Sequence, residues 1–214
     1  MNGVTFGSLH SYNDLDLILN TKTIGKASPK TTTVDVPGGD GELDYTEYFG
    51  DVKYYDRELT FEFSTIVKPT DFLSLYSRLQ NQLNGRKMQI TLDDDHEFYY
   101  VGRITIDDWQ TCKRIGKIVI NVKAEPYKLK QTRTVVSRVV NGTCAISCTN
   151  SRKQVIPKIT ASSEVNVTFG EYSVMFTGER TDEEIIFVQG QNVLMVTATN
   201  ANTIVTVEYQ EGEL

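Results

Sequence analysis

Apolar and polar residues alternate with period two over much of this chain. Leu59, Phe61 and Phe63 alternate with Thr60, Glu62 and Ser64, and Met88, Ile90 and Leu92 alternate with Gln89 and Thr91. Ile118, Ile120 and Val122 alternate with Val119, Asn121 and Lys123. Successive side chains on a strand point to opposite faces, so each run predicts a strand with one buried face. After residue 130 the signal returns in shorter units: Val165/Val167/Phe169, Val174-Met175-Phe176, Ile185-Ile186-Phe187-Val188, Val193-Leu194-Met195-Val196 and Ile204-Val205-Thr206-Val207. Turn residues separate these units at spacings near the 8–12 residues of β-sandwiches.

One stretch changes to a helical period. After Lys68-Pro69-Thr70-Asp71, apolar residues recur at Phe72, Leu73, Leu75, Tyr76, Leu79 and Leu83, and Asn84-Gly85 supplies a stop. The spacing predicts one helix over about residues 70–84, with its apolar stripe on a sheet. A hairpin follows, Arg86–Leu92 and Glu97–Thr105, joined through Asp93-Asp94-Asp95-His96. Proline interrupts a strand pattern at Glu125-Pro126-Tyr127, and helix signals cease beyond it. The fold class expected is mainly β: an N-terminal α+β domain of β-sheets or a barrel with one helix, residues 1–127, then an all-β sandwich, residues 128–214.

Composition narrows the partners. The chain has 214 residues, 39% of them hydrophobic, which is enough for a real core. A net charge of −6 argues against a specific nucleic-acid binder and against an anionic-membrane binder. Met1-Asn2-Gly3-Val4-Thr5-Phe6 lacks the basic and apolar regions of a signal peptide. No apolar run approaches the roughly 18 residues of a membrane helix. Cys112, Cys144 and Cys148 make neither a disulfide framework nor a zinc site. On one strand Cys144 and Cys148 would stand roughly 13 Å apart, beyond disulfide reach. Synthesis in a reducing cytoplasm is the expectation.

Candidate chemistry is sparse. Asp93-Asp94-Asp95-His96-Glu97 is the densest acidic cluster, but it lacks the glycine and the twelfth-position glutamate of a calcium loop and reads as a solvated hairpin turn. Gly39-Asp40-Gly41-Glu42-Leu43-Asp44 matches a dinucleotide loop only in part, with Asp44 in place of the last glycine and no amphipathic helix following. His10 and His96 have no orienting partner in sequence, and no G-x-S-x-G elbow occurs. No catalytic, metal or cofactor-binding residue is assigned.

The run Val36-Pro37-Gly38-Gly39-Asp40-Gly41-Glu42-Leu43-Asp44-Tyr45 suits an exposed corner or a close contact with another chain. Tyr45, Tyr48, Phe49, Tyr54 and Tyr55 follow, aromatics of the kind that interfaces enrich. Charge is also segregated. Residues 35–62 carry nine acids against Lys53 and Arg57, whereas residues 113–138 carry Lys113, Arg114, Lys117, Lys123, Lys128, Lys130, Arg133 and Arg138 against Glu125 alone. The opposed stretches can be two solvated faces, one contact within the chain, or a contact between copies that closes into a ring. The candidate subunit-interface residues are therefore Pro37, Gly38, Asp40, Asp44, Tyr45, Tyr48, Tyr54, Arg57, Lys113, Arg114 and Lys117.

Several motifs in order resemble the distal tail protein (Dit) family of long-tailed bacteriophages. They are Gly3–Phe6, the Val36–Gly41 turn with Asp44, Tyr54-Tyr55-Asp56-Arg57 leading into Leu59–Phe63, and the helix ending at Gly85-Arg86-Lys87. Ala124–Lys128 resembles the family's domain junction, and Pro157-Lys158-Ile159, Gly190-Gln191-Asn192 and Val205–Tyr209 resemble its second domain. The resemblance implies a hexameric ring of N-terminal domains, a galectin-like C-terminal sandwich, and a place in the virion at the tail tip. Its implied partners are the tail tube protein, a tail-associated tip protein, and receptor-binding or baseplate proteins. The competing classes are a carbohydrate-binding β-sandwich and a cell-wall glycoside hydrolase.

Overall fold

The computed structural model describes residues 3–48, 50–65, 67–112 and 115–214, and only the backbone of residues 111, 112 and 115. The chain divides into two compact units, Met1–Lys128 and Leu129–Leu214. In chain order the first unit carries β1 (Val4–Phe6), β2 (Leu9–His10), β3 (Leu17–Ile24), β4 (Thr33–Asp35), β5 (Glu42–Asp44), β6 (Arg57–Thr65), α1 (Phe72–Gln82), β7 (Lys87–Leu92), β8 (Phe98–Ile106), β9 (Gln110–Cys112) and β10 (Ile115–Ala124). Strand β11 (Lys128–Lys130) begins at its end.

The main sheet of this unit is antiparallel and nearly closed, in the order β2-β1-β7-β8-β10-β6-β3, with β9 beside β10. Period-two alternation decides its inner face. Leu59, Phe61 and Phe63 of β6 and Ile118, Ile120 and Val122 of β10 are almost fully buried, and β6 pairs with β10 in the register Phe61↔Ile120. Phe6 meets Phe61 and Phe63 edge-on, at ring separations of 5.9 and 6.2 Å. Helix α1 adds Phe72, Leu75 and Leu79, with Leu83 at its C-cap; the latter three join the same core. Leu73 lies off that stripe and is 74% exposed. The helix stops where Gly85 takes φ +74°, a left-handed conformation that glycine adopts without a Cβ clash. A 3-10 turn, Pro69–Asp71, occupies the first predicted helical turn. Strands β7 and β8 form the expected hairpin, joined by a second 3-10 turn at Asp93–Asp95.

The second unit is all β: β12 (Thr134–Val140), β13 (Thr143–Asn150), β14 (Lys158–Phe169), β15 (Tyr172–Thr181), β16 (Gly190–Ala198), β17 (Thr203–Tyr209) and β18 (Gly212–Glu213). The first half of β14 pairs with β17 and the second half with β16, while β15 pairs with both halves. The strands run in the order β12-β17-β14-β16-β13, with β15 paired to β14, and the β14–β15 register shifts between Ala161 and Val165, where the partner of β14 changes from β17 to β16. Serines supply hydrogen bonds at that irregularity: Ser162 Oγ accepts the Ile204 N–H at 2.9 Å, and the Ser163 hydroxyl meets Thr203 Oγ1 at 2.6 Å. Val165, Val167, Leu194, Val196, Val205 and Val207 are buried together in the core of this unit.

One predicted strand is not formed. Ile185–Val188 alternates in burial, with Ile185 and Phe187 inside, but it makes only an isolated bridge between Val155 and Phe187. Its neighbouring segment ends at Pro157, which has no N–H to extend a ladder. Buried amides hold the stretch instead. Asn192 Oδ1 accepts the Val188 N–H at 3.0 Å, and Asn150 Nδ2 donates to the Lys153 and Phe187 carbonyls at 2.8 and 3.3 Å.

Cys144 and Cys148 are both on β13 and are free thiols. Burial pushes the Cys148 thiol up to about 11, so it stays protonated and packs as a small apolar group.

Candidate functional site

Strands β4 and β5 pair only with each other, in the register Thr33↔Asp44, Val34↔Leu43 and Asp35↔Glu42. Every residue from 31 to 45 is exposed, so neither face of this hairpin packs on a core. The corner is built by Pro37 and by glycines at φ +82° (Gly38) and +77° (Gly41), with Gly39 N–H donating to the Val36 carbonyl at 3.0 Å. A branched side chain would be strained at either positive φ. The base of the hairpin is tied by Lys30 N–H to the Lys53 carbonyl at 2.7 Å and Tyr55 N–H to the Ser28 carbonyl at 2.9 Å.

This arm shows apolar surface and carboxylates together. Val34, Leu43, Tyr45, Tyr48 and Tyr55 are exposed, Tyr48 by 73%. Tyr45 and Tyr48 meet edge-on at 5.9 Å. Asp44 accepts hydrogen bonds from Thr46, including its backbone N–H at 2.8 Å, which hold its carboxyl below the usual range. Asp35, Asp40, Glu42 and Glu47 are exposed and make no ion pair among the described residues. A two-stranded ribbon of this length is marginal by itself in water.

The other candidate residues are spread through the first unit. Tyr54 stacks edge-on with Tyr127 at 5.9 Å. Lys117 reaches Glu62 on the neighbouring strand at 2.9 Å, and Lys123 approaches Asp56 at 3.9 Å. The opposed acidic and basic stretches therefore meet partly inside the chain, because β6 and β10 pair. Lys113 and Arg114 lie outside the described residues.

Arg57 starts the core-facing row of β6 and is only 8% exposed. Its guanidinium lies 5.6 Å from the centre of the Tyr100 ring, and its buried Nε has no acceptor among the described residues. Burial pushes the Tyr100 hydroxyl up, against the downward pull of Arg57, Lys128 and Lys22.

Each side chain of the aspartate turn is already committed. Asp93 Oδ2 accepts the Gly3 N–H at 2.7 Å and meets His10 Nε2 at 3.2 Å. His10 Nδ1 accepts the Tyr12 and Asn13 N–H groups, so Nε2 carries the proton that faces Asp93. Asp94 binds Lys22, a hydrogen bond that holds its carboxyl low. Asp95 binds Lys128 at 3.0 Å. The turn clamps Gly3 just before β1, His10 of β2, Lys22 of β3, and Lys128 at the end of this unit. Among the described residues, no three of His, Cys, Asp and Glu are grouped to hold a metal, and no helix is long and apolar enough to cross a membrane.

In the second unit, aromatic side chains are part of the packing. Phe187 and Tyr209 are buried, and Phe169, Tyr172 and Phe176 pack against the same core. The Tyr172 hydroxyl donates to Asp182 Oδ2 at 2.7 Å, and Arg180 Nη2 donates to that oxygen at 2.7 Å. These bonds hold the Asp182 carboxyl low and fix the chain as it leaves β15.

No protein-family model matches the chain, and no curated protein sequence matches it. Among solved structures, the crystal structure of the SPP1 Dit (gp 19.1) protein is similar over 100% of this chain and 100% of that one, with a TM-score of 0.73 at 16% sequence identity. That protein is described as a paradigm of the hub adsorption apparatus in phages infecting Gram-positive bacteria. The two chains share a fold across both units.

Proposed function

We propose that this chain is a structural protein of a bacteriophage tail, the distal tail component at the baseplate hub. The observation that carries the reading is the correspondence with the SPP1 Dit protein from end to end, both units included. The ordered motifs of the sequence support the same family independently.

On this reading, residues 1–127 form a hexameric ring and residues 128–214 a galectin-like sandwich. The ring joins the tail tube protein to the tail-associated tip protein and the receptor-binding or baseplate proteins. The protein is made in the host cytoplasm and resides in the virion. Pro37, Gly38, Asp40, Asp44, Tyr45, Tyr48, Tyr54, Arg57, Lys113, Arg114 and Lys117 belong to the subunit interface. The exposed hairpin supports this, since a ribbon with apolar residues and no core to pack on gains most from a neighbouring surface.

The role is architectural, not catalytic. Carbohydrate binding requires an aromatic platform, and the aromatics of the second unit pack into its core. Electron microscopy of the purified full chain tests the proposal: six-fold particles with a central hole are expected, and particles of uniform size without a hole contradict it.

A further inference from the structure

Arg57 is a buried cation whose counter-charge is missing. Among the described residues its guanidinium donates no hydrogen bond and meets no carboxylate; the Tyr100 ring is its one specific contact. An isolated buried charge is far more costly than a buried neutral group, and cation–π contact offsets only part of that cost. Asp95, whose charge acts on Tyr100 as that of Arg57 does, is engaged by Lys128, and the adjacent Asp94 by Lys22. The same unit shows the opposite imbalance on its hairpin, where Asp35, Asp40, Glu42 and Glu47 have no cation. Within one chain the two do not meet.

We propose that Arg57 is a socket for a carboxylate delivered by the β4–β5 hairpin of a second copy of this chain. The guanidinium fork matches a carboxylate in two parallel hydrogen bonds, which a lysine cannot reproduce. The socket is complete only in the assembly, so each subunit holds an unfavourable buried charge until its neighbour arrives. The inference rests on the self-assembly proposed above and names the chemistry of the contact.

Sedimentation of the full chain over a concentration series, with thermal unfolding measured on the dilute protein, tests it. Arg57→Met keeps the bulk and removes the charge. It should raise the concentration of half-assembly tenfold or more while leaving the melting temperature of the dilute chain equal or higher. Neutralising the exposed hairpin with Asp35→Asn, Asp40→Asn, Glu42→Gln and Glu47→Gln together should weaken assembly to a similar extent. Combining the two sets should weaken it no further than either alone, because both remove one interaction. Should Arg57→Met fail to fold, Arg57→Lys replaces it in the same comparison, with a smaller weakening expected. A wild-type chain that assembles, with half-assembly unmoved by the Arg57 variant or with fully additive effects, overturns the socket and leaves the ring standing. A wild-type chain that stays monomeric at every concentration overturns both.

Discussion

Glu211 shows how single residues in this fold carry pH dependence. Burial alone would raise its carboxyl, but hydrogen bonds from Thr134, Ser151 and Lys130 outweigh that effect and hold it below the usual carboxylate range. Ser151 Oγ donates at 2.8 Å and Lys130 Nζ at 3.1 Å. A carboxyl lowered by folding stabilises the native state above its unfolded value, and the contribution is lost as pH falls through the folded value. Glu211→Gln should therefore cost the second unit about 1–2 kcal/mol at pH 7. In denaturant unfolding of the full chain this difference should shrink steadily on acidification; a pH-independent difference would show that charge plays no part. None of this was legible in the sequence, because Thr134, Ser151 and Lys130 lie at least 60 residues away from Glu211.

Arg57 was legible in one respect and hidden in another. Its place two residues before Leu59 in an alternating run puts it on the core-facing row. Its lack of an acceptor depends on which carboxylates the fold brings near, and the aspartate turn is already taken by Gly3, His10, Lys22 and Lys128. The same reason explains Lys117, whose charge meets Glu62 across the β6–β10 ladder. Register decides these pairs, and a composition count does not contain register.

At the scale of elements, the helix and the long strands follow directly from periodicity, since burial on one face is what the period encodes. The helix was expected at about residues 70–84 and forms at Phe72–Gln82, preceded by a 3-10 turn. Ile185–Val188 failed as a strand because alternation reports burial, whereas a strand also needs a partner ladder. The hairpin β4–β5 is the element with the least support of its own. Its backbone amides should exchange rapidly in the dilute chain and slow by tenfold or more in the assembled protein, when followed by hydrogen exchange. Equal rates in both states would mean that the hairpin takes no part in assembly.

For the molecule as a whole, each of the two units has its own apolar core. Strand pairing was not readable from the chain: β1 sits beside β7, and β3 beside β6, across long stretches of sequence. Nor was the shifted register of β14 and β15 between Ala161 and Val165. The end-to-end likeness to the SPP1 Dit fold unites these features in one architecture. Under the proposed function, copies of this chain assemble into a ring. The mass of the purified full chain, measured by sedimentation at rising concentration, tests that most directly. A species of six chains of 24.1 kDa each is the predicted result, and a strict monomer at the highest concentration would contradict it.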